Sequence, residues 1–228
     1  MYDSTTNVAL FRDSQRNVMV YWSQAWQDEF VNNLLNFKKG GYFLDIGSTD
    51  GMSQSNSYFL ESEMGWQGIC VERGVGYAEH YSKNRSCIFL NEDATQIDYK
   101  TLFVANKYPS TIDYLSVDID ENSAVALNKL PLDDYRFSVI TIEHDAYRFG
   151  HVLRNGEREL LRTFGYYCLF PDVLVPKGCG MGNDLIFEDW WIDPILFNME
   201  ILKKLGAEKM YPDDIVAMMK SKKENWLK

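Results

Sequence analysis

The chain of 228 residues predicts an α/β fold, a doubly wound and mostly parallel sheet that closes with a C-terminal antiparallel β-hairpin. Three observations predict it. Short apolar runs recur along the chain and are too continuous to alternate with a solvated face, as strands covered on both sides must be. Segments that read as helices separate most of these runs, and such alternation implies right-handed crossovers with helices on both faces of one sheet. The last two runs are joined by the glycine-rich stretch PKGCGMGN at 176–183, which suits a hairpin.

The elements follow in order. Residues 1–21 are set apart as an N-terminal extension, and 11–21 carry no pattern that assigns an element. Residues 22–228 read as a single domain, because no repeat, low-complexity segment or linker rich in Pro, Gly or Ser interrupts them. Trp26, Phe30, Leu34 and Phe37 recur at helical spacing, and Lys38-Lys39 before Gly40-Gly41 supplies a cationic last turn and a glycine stop. Strands are expected at 42–46 (YFLDI), 68–72, 87–90, 112–118, 137–143, 166–175 and 185–192, with helices at 55–64, 77–84, 99–106, 122–130 and 155–164. Residues 195–205 pattern as ordinary helix packing.

Composition bounds the function. With 46% apolar and 14% aromatic residues the chain buries a substantial core. Acidic residues outnumber basic ones 33 to 23, and a net charge of −10 argues against nucleic acid as a partner, since tracking phosphates takes clustered Lys and Arg. Cys70, Cys87, Cys168 and Cys179 form no CxxC pair, which fits a reducing, intracellular and cytoplasmic setting. No segment approaches the roughly 18 to 20 apolar residues of a membrane span, and the sequon Asn84-Arg85-Ser86 has no secretory context.

In a doubly wound sheet, ligands bind outside the carboxyl ends of the strands. Asp45 closes the first strand there. Gly47 lets the backbone approach a ligand, and Gly51 relieves crowding where the next helix begins. Twenty-one residues after Gly51 the second strand ends in Glu72, placed to accept hydrogen bonds from both hydroxyls of a ribose. The third is followed by Asn91-Glu92-Asp93-Ala94, which suits an adenine amino group. A lone glycine pair is most often a turn, whereas acidic stations at three successive strand ends are more specific. A dinucleotide loop reads G-x-G-x-x-G and rests a pyrophosphate on the helix start. Here Asp50 stands where the phosphates would sit, and Asp45 and Asp50 instead suit the cationic sulfonium and amine of S-adenosylmethionine.

On SQAWQD at 23–28, FLDIGSTDG, SNSYFLE, GWQGICVE, YLSVDID and ITIEHD, the chain resembles the FkbM-type S-adenosylmethionine-dependent methyltransferases over about residues 22–192. The resemblance implies a Rossmann-like class I methyltransferase fold and methyl transfer to an oxygen, a hydroxyl of a sugar, a glycan or a related polar small molecule. It also implies cofactor contacts from Gln24, Gln27, Ser48, Ser55, Asn56, Arg73 and Asp118, beside Asp45, Gly47, Gly51, Glu72, Asp93 and Ala94. One departure stands out. Relatives commonly carry a glycine after the acidic pair of the fourth strand, and this chain reads Asp118-Ile119-Asp120-Glu121.

A sulfonium methyl transfer is an in-line displacement, so positioning supplies most of the advantage, but an alcohol also needs a base or a metal. Asp118 and Asp120 end the fourth strand, and Glu143, His144 and Asp145 end the fifth, on adjacent strands. His144 is the best base by its ordinary pKa. Alternatively Asp118, Glu143 and His144 hold Mg2+ or Mn2+, and the crowding of four carboxylates around one imidazole favours that metal. Loop capping accounts for one of these groups, not for all five.

The segment FEDWWIDP at 187–194 combines acids with tryptophans, so Asp145, Asp189, Trp190 and Trp191 are expected to bind the carbohydrate or small-molecule acceptor, on a hairpin at the sheet edge. Core packing of a tryptophan competes with that reading. Arg154, Arg158 and Arg162 recur every four residues, which usually marks a solvated face, here with Glu157 and Glu159 as partners. Two alternatives remain. An NAD-type oxidoreductase on a Rossmann-like fold is disfavoured by the missing third glycine. A catalytically silent cofactor- or glycan-binding module is disfavoured by the intact Glu143-His144-Asp145 cluster.

Overall fold

The computed structural model describes residues 2–3, 8–12, 18–182, 184–222 and 224–228. In chain order it forms β1 (Tyr2–Asp3), β2 (Val8–Arg12), β3 (Val18–Tyr21), α1 (Gln27–Leu34), β4 (Tyr42–Ile46), α2 (Tyr58–Ser62), β5 (Gln67–Val71), α3 (Ala78–Asn84), β6 (Ile88–Leu90), α4 (Tyr99–Ala105) and β7 (Thr111–Val117). Then come α5 (Ser123–Lys129), β8 (Arg136–Glu143), α6 (Ala146–Phe149), α7 (His151–Thr163), β9 (Tyr167–Leu174), β10 (Ile186–Ile192), α8 (Met199–Leu202) and α9 (Pro212–Lys222). Strands β1 to β3 form a small antiparallel sheet within residues 1–21, and β3 falls in the stretch 11–21 to which the sequence assigns no element.

The large sheet has seven strands in the order β6-β5-β4-β7-β8-β10-β9. Pairing is parallel from β6 through β8, and β10 runs antiparallel to both its neighbours. This is a doubly wound, Rossmann-like sheet. Strand order reverses between β4 and its neighbour β7, so the ligand crevice of such a sheet opens there.

Strand alternation divides the core into two layers. Phe43, Cys70, Tyr114 and Val139 pack on one face with α1 residues Phe30 and Leu34. Leu44, Ile69, Leu115 and Ile140 pack on the other with Phe103 of α4, Leu127 of α5 and Leu161 of α7. Full burial of a side chain such as Phe43 or Leu44 removes about 1.5 to 3 kcal/mol worth of apolar surface from water.

The hairpin forms as the glycine-rich connection predicts, but β10 folds back between β8 and β9 and does not lie at the edge. Six of its seven residues are buried, so both of its faces are covered as well. Helix boundaries shift where a side chain or backbone turn is needed elsewhere. Phe37 lies beyond α1 with φ 58 and is 48% exposed. Ser55 Oγ accepts from Ser57 N and Tyr58 N, which delays α2 to Tyr58. Gly150, at φ 76, separates α6 from an α7 that starts at His151, earlier than the pattern suggests. No helix among the described residues is long and apolar enough to cross a membrane.

Candidate active site

Two neighbouring pockets, the two lobes of a cleft, open at the carboxyl ends of β4, β5 and β7. The larger, about 280 Å³, is lined by Glu72, Arg73, Asp93, Ala94 and Asp120 among others; the smaller, about 60 Å³, by Gln24, Asp45, Ser48, Ser55 and Asn56. Gly47, Thr49 and Asp118 border both. Asp118 N donates to Ile46 O (2.8 Å), which brings the ends of β4 and β7 together. Gly47 has φ +88, and a Cβ there would stand 1.7 Å from the Asp118 carbonyl oxygen, so only glycine allows this approach.

In the larger lobe, Glu72 Oε2 accepts from Thr49 N (3.1 Å) and Oε1 from Gly74 N (2.6 Å), so backbone donors orient the carboxylate. Asp93 Oδ1 accepts from Thr95 Oγ1 (2.7 Å) and Thr95 N (2.9 Å), bonds that hold its pKa below the ordinary carboxylate value. The smaller lobe is rich in acceptors. Asp45 is 2% exposed, accepts from Ser57 Oγ (2.5 Å), and is pushed up in pKa by burial. Asn56 donates through Nδ2 to Ser116 Oγ (2.9 Å), which leaves its buried Oδ1 without a donor.

Beyond the lobes the carboxyls converge. Asp118 meets Glu143 side chain to side chain; burial is the largest cause of its pKa rise to about 7, which the charges of Asp45, Asp120 and Asp145 reinforce. Glu143 is raised well above its ordinary value, first by burial and then by Asp118, Asp145 and Glu188. Glu188 pairs across the strands with Glu143, is 2% exposed, and is raised by burial to about 8. Its Oε2 accepts from Gln27 Nε2 (3.0 Å). Crowded carboxyls of this kind share protons in place of counter-ions.

His144 departs from expectation. Successive residues of a strand point to opposite faces, so Glu143 turns to the carboxyl group while His144 turns beneath α7. Its Nε2 lies 3.5 Å from Asp189 Oδ1 and 3.9 Å from Asp172 Oδ1, with the side chain fully buried. It is not a free base at the cleft, and the metal set Asp118, Glu143 and His144 is not assembled. Among the described residues His144, Asp172 and Asp189 do come within metal-binding reach of one another. There Arg158 Nε and Nη2 donate to Asp189 (both 2.6 Å), and Arg158 Nη2 and Arg154 Nη1 donate to Asp172 Oδ1 (both 2.7 Å). Two guanidiniums already neutralise the two carboxylates, so this cluster does not fit a divalent cation. The arginine stripe thus points inward at positions 154 and 158, and the guanidinium of Arg162 stands 5.9 Å above the Trp191 ring.

Other predicted residues also move. Gln27 is engaged with Glu188 and Ala25 N and lines neither lobe. Gly51 serves packing, since a Cβ would stand 2.6 Å from the Tyr81 ring. Trp190 (0% exposed) stacks on Phe30 at 4.4 Å and Trp191 (1%) lies in the opposite core layer, because β10 is an interior strand; both are core, and Asp189 is an ion-pair partner. Asp145 is 2% exposed and takes Arg148 Nη1 at 3.2 Å, while that nitrogen also meets the exposed Asp120 at 2.9 Å. Sequence reasoning missed Glu188, Asp172 and Thr49. Glu188 was legible only as an acid inside an apolar strand.

No protein-family model matches the chain, and neither does any curated protein sequence. Solved structures do resemble it at low identity. The [4+2]-cyclase SpnF is 14% identical over 62% of this chain, with a TM-score of 0.42, and this chain spans 56% of its length. A putative O-methyltransferase from Klebsiella pneumoniae is 13% identical, covering 73% of this chain and 79% of its own, at a TM-score of 0.48. The N-methyltransferase NodS from Bradyrhizobium japonicum WM9, in complex with S-adenosyl-L-homocysteine, is 12% identical, covering 74% and 85%, at 0.46.

Proposed function

We propose that the chain is an S-adenosylmethionine-dependent O-methyltransferase of FkbM type, acting in the cytoplasm on a hydroxyl of a sugar, glycan or related polar small molecule. The observation that carries the reading is the two-lobed cleft. Glu72, held by backbone donors at the end of β5, faces one lobe, and acceptor groups line the other. The unpaired Asn56 Oδ1 and the buried Asp45 suit an ammonium and a sulfonium, while Asp50 on the Gly47 to Gly51 loop takes the Met52 and Ser53 N–H groups and its charge opposes a pyrophosphate. Glu72, Asp93 and Ala94 would hold the adenosine, and Asp45, Ser48, Ser55 and Asn56 the amino-acid end. When bound, the cofactor supplies an electrophilic methyl carbon.

The chain's own part is to accept a proton. Asp118 borders both lobes and, at a pKa of about 7, is ionised in a useful fraction near neutrality. Glu143, raised well above its ordinary value by burial and its carboxyl neighbours, hydrogen-bonds the Asp118 carboxyl and favours its ionised form. An acceptor hydroxyl placed beside Asp118 would lose its proton to that carboxylate as its oxygen is methylated. No step is assigned to a metal.

The test is transfer of a labelled methyl group from S-adenosylmethionine to a panel of sugars and polyols. Transfer to oxygen, with a rate that rises with pH through about 7, supports the reading. Saturable cofactor binding without transfer to any member would favour the silent module. Glu72→Ala should weaken S-adenosylhomocysteine binding by roughly 1 to 3 kcal/mol, as hydrogen bonds to a charged group are lost.

A further inference from the structure

His144 faces away from the cleft, yet in the chain it stands between Glu143 and Asp145. The turn between β8 and α6 places Asp145 at φ 43 and ψ 44, a left-handed conformation that a non-glycine residue keeps only where its surroundings enforce it. Several bonds enforce it. His144 N and Asp145 N both donate to Phe187 O (2.7 and 2.9 Å), and Arg148 N and Phe149 N donate to Asp145 O (2.7 and 3.0 Å). The Ala146 N–H donates to His144 Nδ1 (3.1 Å).

That last bond fixes the imidazole. With Nδ1 accepting, a neutral ring carries its proton on Nε2, which points at the Asp189 carboxylate 3.5 Å away and makes no closer bond. Asp189 is itself immobilised by both Arg158 donors and by Asp172 N (2.8 Å). Helix α7 therefore holds β10, β10 faces the imidazole, and the imidazole caps the turn.

We propose that His144 is a positioning residue, and that the Arg158–Asp189–His144 chain fixes the turn that sets Glu143 and Asp145 against Asp118. This rests on the reading of Asp118 as the proton acceptor. The groups around Asp118 are Asp45 on β4, Asp120 after β7, Glu143 on β8, Asp145 on the turn and Glu188 on β10. Those around His144 are Asp172 on β9, Asp189 on β10 and, through them, Arg154 and Arg158 on α7. If the turn slackens, water reaches Asp118 and Asp145 moves away, which relieves the burial and charge that hold the Asp118 proton; burial is the largest effect and outweighs loss of the Glu143 hydrogen bond, which favours the ionised form.

The experiment is a pH titration of Asp118 by carbon NMR of carboxyl-labelled aspartate, with its resonance assigned from its loss in Asp118→Asn. The wild-type midpoint should lie at about 7. In His144→Leu, which cannot accept from Ala146 N, it should fall by about one pH unit or more toward the ordinary value near ~3.9. In His144→Asn, whose Oδ1 can take the same N–H, it should stay within about half a unit of wild type. An unchanged midpoint in folded His144→Leu overturns the positioning role, and so does a wild-type midpoint in the ordinary carboxylate range. Should His144→Leu not fold, Asp189→Asn, which keeps shape but removes the charge facing Nε2, must shift the midpoint in the same direction or the proposal fails. Calorimetry with S-adenosylhomocysteine on the same wild-type protein separates the two readings: absence of binding sinks methyl transfer and leaves the titration result standing.

Discussion

Two groups of buried carboxyls lie on opposite faces of the sheet at the end of β8, and they are neutralised in opposite ways. Asp189, 2% exposed, would be raised by burial alone, but the Arg158 guanidinium and the neighbouring His144 hold it down to about 2. Glu188, one residue earlier and equally buried, is raised to about 8 by burial and the charge of Asp118, although Gln27 donates to it. The difference is what faces each side. Helix α7 brings Arg154 and Arg158 to one face, and α1 brings Gln27 to the other. Ionised carboxylates locked to guanidiniums brace the strands, whereas protonated carboxyls near neutrality can exchange a proton with a substrate.

The contrast can be broken from either side. The largest effect is expected at Asp118, where Asn keeps the shape and removes the base. Asp118→Asn should lower kcat by roughly 10²- to 10⁴-fold while S-adenosylhomocysteine still binds. Undiminished turnover would remove proton exchange from the cleft face. On the other face, Arg158→Met leaves buried carboxylates without their partner and should cost about 3 to 5 kcal/mol in urea denaturation. Glu188→Gln, which replaces a group already protonated at neutrality, should change stability by less than about 1 kcal/mol. Equal losses in both variants would mean that the two faces are not differently neutralised.

Stability against pH sharpens the comparison with smaller effects. The folded pKa of Glu188, about 8, exceeds its ordinary 4.5, so its contribution is complete below about 4.5 and is lost as pH rises through about 8. The folded pKa of Asp189, about 2, lies below its ordinary 3.8, so its contribution is present above that value and is lost as pH falls through about 2. Each group contributes a slope of at most about 1.4 kcal/mol per pH unit within its own window. Glu188→Gln should flatten the fall between pH 4.5 and 8, and Asp189→Asn the fall below 3.8. A slope of the same sign in both windows would contradict the assignment.

Much of the fold was legible because strand and helix patterning are local. YFLDI at 42–46 and FSVITIE at 137–143 are apolar runs whose residues all need cover, and both form interior strands. Of the first lobe, Glu72, Asp93 and Ala94 were legible because strand ends in a parallel sheet share one edge. What could not be read was strand order and side-chain direction. The pattern of 185–192 predicts a strand but not that it inserts beside β8, so Trp190 and Trp191 were expected at an acceptor site and lie in the core. Glu143-His144-Asp145 reads as one cluster along the chain, but strand alternation sends the imidazole to the opposite face. The stripe Arg154, Arg158, Arg162 looks solvated only while Asp172 and Asp189 are not known to lie beneath it.

The central proposal is that the cleft holds the adenosine and the amino-acid end of S-adenosylmethionine, and calorimetry tests it most directly. Purified protein titrated with S-adenosylhomocysteine and, separately, with NAD should show saturable heat for the first and none for the second. Binding should weaken in Glu72→Ala and survive in Arg148→Ala, whose guanidinium lies outside both lobes. Tight NAD binding with no response to S-adenosylhomocysteine would contradict the account.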